Sequence, residues 1–168
     1  MYRAKKIETD DKQLFYRAVN HLLETLVGEE PNWLANLSNA AALLGHQLSD
    51  INWVGFYLYQ GGELVLGPFQ GKPACTHIPI GSGVCGTAAQ EVRTLIVDDV
   101  DTFPGHIACD SASRSEIVVP ILDAGGRLLG VLDVDSPCLN RFDQDDQQGL
   151  EQFAQRLGRL PGWPNTQF

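Results

Sequence analysis

The chain has 168 residues, 43% hydrophobic and 20% charged, enough for one globular core. A formal charge of -9, with no run of lysines and arginines interleaved with aromatics, argues against nucleic acid as a partner. No apolar segment follows Lys5 and Lys6, and no window approaches the roughly 18 to 20 apolar residues of a membrane span, so the expected setting is the cytoplasm, off the membrane.

The first expected element is an amphipathic helix over residues 10 to 27. Leu14, Ala18, Leu22 and Leu26 form its stripe with Phe15, Val19 and Leu23 beside them, Asp10 caps the start and Gly28 the end. Pro31 suits the first turn of a second helix, where Leu34, Leu37, Ala41 and Leu44 recur at helical spacing up to about Leu48. From Asn52 the text changes to NWVGFYLYQ, then Gly61 and Gly62, then ELVLGPF, which predicts a β-hairpin. A short strand around THIPI follows, then a small-residue helix VCGTAAQEV behind Gly81 and Gly83, and the apolar run TLIVDD. A second hairpin is written as EIVVPILD, the turn AGGR, and LLGVLDVD. The last helix runs from Asp143 to about Leu160 with Leu150, Phe153, Leu157 and Leu160 inward. The plan is α+β, a single domain over 1–168 with helices at about 10–48 and 143–160 flanking an antiparallel sheet at about 52–136.

Residues 99 to 115 form a connection of about seventeen residues without a period, where ordinary loops run to roughly 4 to 6. Its segment FPGHIACD carries Cys109, with His106 before it and Asp110 after it, in a setting too polar for a packed structural thiol. A thiol of pKa about 8.5 must gain roughly 2 kcal/mol of differential stabilisation to reach pKa 7, and His106 and Arg114 are the neighbouring cations. The alternatives are a reactive thiol and an idle surface one. Cys75 lies in a second glycine- and proline-rich stretch, and Cys85 opens the small-residue helix, where the glycines and the helix N-terminus suit either a carboxylate or a plain capped turn. In a reducing milieu any disulfide among Cys75, Cys85, Cys109 and Cys138 is transient, and none has the C-x-x-C or paired His/Cys spacing of a structural zinc site, so no metal is expected.

Glu116 begins one strand of the second hairpin, and Asp133 and Asp135 stand two apart on the other, so both aspartates leave the same face. Such a pair repels unless a cation such as a substrate ammonium lies between its members, or it sits at a solvated strand end. Trp53 and Tyr57 also share a face, as an apolar wall with polar tips or simply as core.

Together the stretches NWVGFYLY, GPFQGKPAC, GVCGTAA, FPGHIACDSASRSEIVVP and GVLDVDSP resemble the GAF-domain free methionine-R-sulfoxide reductases. The resemblance implies a GAF-like fold and reduction of free L-methionine-(R)-sulfoxide without a cofactor. It implies Cys109 as the nucleophile that becomes a sulfenic acid, Cys75 as the resolving thiol with Cys85 as a substitute, and thioredoxin as reductant. It places Trp53 and Tyr57 against the methyl sulfoxide, and Glu116, Asp133 and Asp135 toward the ammonium and the sulfoxide oxygen. The chain departs from the family pattern at His77 and Ser82, where basic residues are common, and Cys138 is expected to be a structural thiol. Relatives of this fold pair through their terminal helices, so a homodimer is a further expectation. Two rivals are weighed against this reading. A non-catalytic GAF small-molecule sensor would need no second thiol, and a cysteine hydrolase built on Cys109 and His106 would leave Cys75 and the acidic cluster unexplained.

Overall fold

The computed structural model describes residues 5–106 and 110–163. The elements are α1 (Lys12–Val27), α2 (Trp33–Gln47), β1 (Trp53–Gln60), β2 (Glu63–Gln70), β3 (His77–Pro79), α3 (Gly83–Glu91), β4 (Leu95–Val97), β5 (Ser115–Leu122), β6 (Leu128–Ser136) and α4 (Gln144–Gly158). Both expected hairpins form, and the six strands make one antiparallel sheet in the order β3-β2-β1-β6-β5-β4. The α+β fold expected from the sequence is therefore the fold observed.

Strand alternation assigns the two faces of the sheet to different tasks. Val54, Phe56 and Leu58 of β1, Ile117, Val119 and Ile121 of β5, and Leu132 and Val134 of β6 point to one side, where they join the buried faces of α1, α2 and α4. Trp53 and Tyr57 of β1, Val118 of β5 and Val131 of β6 point to the other, where they meet α3 in a second, smaller cluster. The larger cluster holds the molecule together, which frees the second face to carry polar groups.

The helix limits differ from expectation in ways that follow from capping and rotation. Asp11, not Asp10, caps α1, accepting from the backbone N–H groups of Gln13 and Leu14. Pro31 lies outside α2, ahead of the cap Asn32, whose side chain accepts from Ala35 N–H. The buried stripe of α1 is Tyr16, Val19, Leu23 and Val27, so Leu14 is turned outward at 50% exposure, and Leu34 of α2 stands out similarly at 49%. In α4, Leu150, Phe153 and Leu157 face inward as the spacing predicts, while Leu160 packs at the edge of the core beyond the last turn.

The two ends of the long connection are held by backbone hydrogen bonds. A short 3-10 turn, Val100–Thr102, follows Asp99, and Val100 N–H donates to the Arg114 carbonyl at 2.9 Å, so the two feet of the loop are tied together. Arg114 N–H in turn donates to the Ser136 carbonyl of β6 at 2.7 Å.

Asp146 anchors the N-terminus of α4 to the rest of the core. Its carboxylate is buried and accepts from Tyr16 Oη at 2.8 Å, from Arg141 Nη1 at 3.3 Å and from Lys12 Nζ at 2.5 Å. Removing it leaves two cations and a buried phenol facing one another. Asp146→Ala is expected to cost about 3 kcal/mol in urea unfolding, whereas Gln148→Ala, exposed on the same helix, should leave the midpoint nearly unchanged.

Candidate active site

The register of the sheet builds the floor of a cavity. Trp53 lies opposite Asp135 across β1 and β6, and Asp135 lies opposite Glu116 across β6 and β5. Residues directly opposite each other share a face, so these three form one row, and Gly55 opposite Asp133 belongs to the next row on the same side. Gly55 is required by close approach: a Cβ there would lie 2.3 Å from Phe69 Cβ and 2.7 Å from the Trp53 ring. Without it, the indole stacks between Phe69 at 5.3 Å and Tyr57 at 5.8 Å. Trp53 and Tyr57 are thus both core and cavity wall.

The far wall comes from α3 and the loops. Ser82, Gly83, Val84 and Cys85 at the start of α3 line the cavity, with Pro73 and Ala74 from the β2–β3 loop and His106 from the long connection. Ser82 makes no side-chain cap bond, so its hydroxyl does not cover the first N–H groups and positive dipole end of α3, which lie beside the carboxyl floor. One side of the cavity is therefore acidic and the other anion-seeking.

Burial dominates the electrostatics of the floor. Glu116 and Asp133 are 5% and 6% exposed, and loss of water raises the pKa of Glu116, Asp133 and Asp135, that of Asp133 to about 7. Mutual repulsion pushes Glu116 and Asp135 up further. The Cys85 thiol is also pushed up, first by burial and then by the carboxylates, and lies 3.8 Å from Glu116 Oε1 as a donor. Among the described residues Asp133 Oδ1 has no hydrogen-bond partner. The two aspartates are therefore not at a solvated strand end, because the hairpin dips beneath α3 instead of into water.

His106 Nε2 stands 3.9 Å from Glu116 Oε2, and burial lowers the imidazole pKa. Burial thus favours the neutral ring over the cation that its sequence position suggests. Arg114, the other expected cation, is exposed and is not among the residues that line the cavity.

Cys109 lies outside the described residues. Cys75 is disulfide-bonded, while Cys85 and Cys138 are free. The Cys75 carbonyl accepts from Tyr57 Oη at 3.1 Å, which fixes that stretch of backbone at the edge of the cavity. Cys138 is exposed, contrary to the expected structural thiol, because what is anchored there is its backbone, through Ser136 and Ser115, and not its sulfur. His77 is exposed and paired with Glu63 at 2.9 Å, away from the cavity, since it sits on the outer strand β3.

A latch that the sequence did not reveal joins three segments beside the cavity. Asn52 Nδ2 donates to Asp110 Oδ2 at 3.2 Å and to Ser113 Oγ at 3.0 Å, and Lys72 Nζ reaches Asp110 Oδ1 at 3.4 Å. Asp110 and Ser113 also line the cavity. The available signal was Lys72, the sole lysine beyond position 12, three residues before Cys75.

The GAF domain family model matches residues 34–160. A free methionine-R-sulfoxide reductase of Escherichia coli is 48% identical over 150 residues, 89% of this chain and 90% of that one. One from Saccharomyces cerevisiae is 49% identical over 143 residues, 81% of this chain and 79% of that one. The X-ray structure of a free methionine-R-sulfoxide reductase from Neisseria meningitidis in complex with its substrate superposes with a TM-score of 0.88 at 48% identity, covering 94% of each chain. With this fold, a cavity on the second face of the sheet and this degree of identity over most of its length, the chain belongs to the GAF-domain family of free methionine-R-sulfoxide reductases.

Proposed function

We propose that this protein is an oxidoreductase that reduces free L-methionine-(R)-sulfoxide to methionine. The observation that carries the reading is the polarity of the cavity: Glu116, Asp133 and Asp135 form an acidic floor for the ammonium and the sulfoxide oxygen, and the α3 N-terminus offers N–H groups to the carboxylate. Trp53 and Tyr57 supply the apolar wall for the methyl group. A peptide-bound methionine would leave these charges without partners, which is a strong source of discrimination.

In the proposed cycle the Cys109 thiolate attacks the sulfoxide sulfur while the oxygen takes a proton. Glu116, its pKa pushed up by burial and by Asp133, suits the role of acid. Oxygen passes to Cys109 as a sulfenic acid and methionine leaves. The Cys75 thiol then displaces water from the sulfenic acid to form a disulfide, and thioredoxin reduces it by dithiol exchange. Cys85 is a weaker candidate for the resolving thiol, because burial and three carboxyls keep it protonated. The ability of Cys75 to form a disulfide supports its place in the cycle. The proposed setting is the cytoplasm, with a homodimer as the working assembly.

Coupled NADPH consumption through thioredoxin tests the reading with the free R and S epimers and with a peptide carrying the same sulfoxide. Turnover confined to the free R epimer is expected, and equal rates on the peptide would overturn it. Cys109→Ser should abolish turnover, and Cys75→Ser should complete about one turnover and then accumulate sulfenic acid. Unchanged multiple-turnover rates in Cys75→Ser would remove Cys75 from the cycle.

Asp135→Asn should raise KM by about tenfold, the worth of one charged hydrogen bond, with a smaller change in kcat. The raised Asp133 pKa also gives a pH dependence. Below about pH 7 the carboxyl is neutral and attracts the ammonium less, so kcat/KM should fall as the pH drops through that value. Asp133→Asn should flatten that limb, and a profile identical to wild type would exclude Asp133 from it.

A further inference from the structure

Cys85, Glu116 and Asp133 come from α3, β5 and β6, and one ligand atom from each lies within 4.8 Å of the others. We propose that in the reduced protein these three side chains bind a thiophilic divalent cation, Zn²⁺ or Cd²⁺, at the floor of the cavity. Tetrahedral zinc with one sulfur at about 2.3 Å and oxygens at about 2.0 Å sets its S···O edges at about 3.5 Å. Cys85 Sγ and Glu116 Oε1 are 3.8 Å apart, so that edge needs only a small contraction, and the other two close from no more than 4.8 Å. The second sign of a ligand is Asp133 Oδ1, an oxygen of a carboxyl group 6% exposed and lining the cavity, which among the described residues finds no hydrogen-bond partner of its own. A sulfur donor beside two carboxylates disfavours Mg²⁺ and Ca²⁺, which prefer oxygen alone, and suits a borderline or soft ion. The fourth coordination position faces the cavity and takes water.

Such an ion occupies the place assigned above to the substrate ammonium. Competition with methionine sulfoxide is the one part of the inference that rests on the proposed function. Binding itself does not.

The test is a Cd²⁺ titration of the full chain carrying Cys75→Ser, Cys109→Ser and Cys138→Ser, in which Cys85 is the sole thiol, with circular dichroism to confirm folding. One equivalent of Cd²⁺ should produce ultraviolet thiolate-to-metal absorption, Zn²⁺ should displace it, and adding Glu116→Gln or Asp133→Asn should weaken binding by about tenfold or more. No absorption in the folded chain, or an affinity indifferent to both carboxyl substitutions, would overturn the site. If the triple variant does not fold, the reduced wild-type chain is compared with Cys85→Ser. Loss of one Cd²⁺ equivalent in the variant supports the site, and equal stoichiometry overturns it. The titration contains no sulfoxide, so failure of the reductase reading would leave its result unchanged.

Discussion

Three carboxyl groups on one face of a sheet, largely removed from water and close enough to repel, are the constraint around which this molecule is arranged. Glu116 and Asp135 face each other across β5 and β6, and Asp133 follows on the next row. In water such groups would ionise independently. Under α3 and the loops they cannot, and burial shifts all three toward the protonated form. The cost is reduced when a cationic group arrives, so the repulsion among these carboxyls and the cavity's preference for an ammonium or a metal ion have the same origin.

That arrangement depends on the opposite face of the sheet. The helices α1, α2 and α4 bury a continuous apolar layer against the outward row of β1, β5 and β6, and the buried Asp146 cluster ties α1 to the start of α4. Stability is thereby concentrated on one side. The strands that carry the acids are held rigidly from behind, and the loops above them are free to be specialised. Asn52, Lys72, Asp110 and Ser113 use that freedom, linking the start of β1, the loop before β3 and the long connection beside the cavity mouth.

Much of the fold was legible because local patterns agree with it. The β-rich runs NWVGFYLYQ and EIVVPILD, the Gly61–Gly62 turn and the apolar spacing of residues 150 to 157 each specify an element without help from distant residues. Where local signals competed, the reading slipped. Leu14 and Leu34 match a helical stripe as well as the residues that are buried, and only packing decides which side of the helix faces the sheet. The pairing of Asp133 with Asp135 was readable from their spacing of two, and the resemblance of the cysteine-bearing stretches to a known family pointed to the same region. The Asn52 latch was not readable, because hydrogen bonds between residues some sixty positions apart leave no periodic trace.

By itself, then, the sequence determined the hairpins, the terminal helices and the shared orientation of the two aspartates, all of which arise from interactions between near neighbours along the chain. Tertiary structure alone decided that Asp133 is buried and Asp135 half-buried, that the surroundings of His106 disfavour its charged form, that Cys138 is exposed, and that Cys85 meets Glu116 and Asp133. Each of these depends on how much water reaches a group and which charges surround it. Both are set by the layer of α3 and loops folded over the sheet.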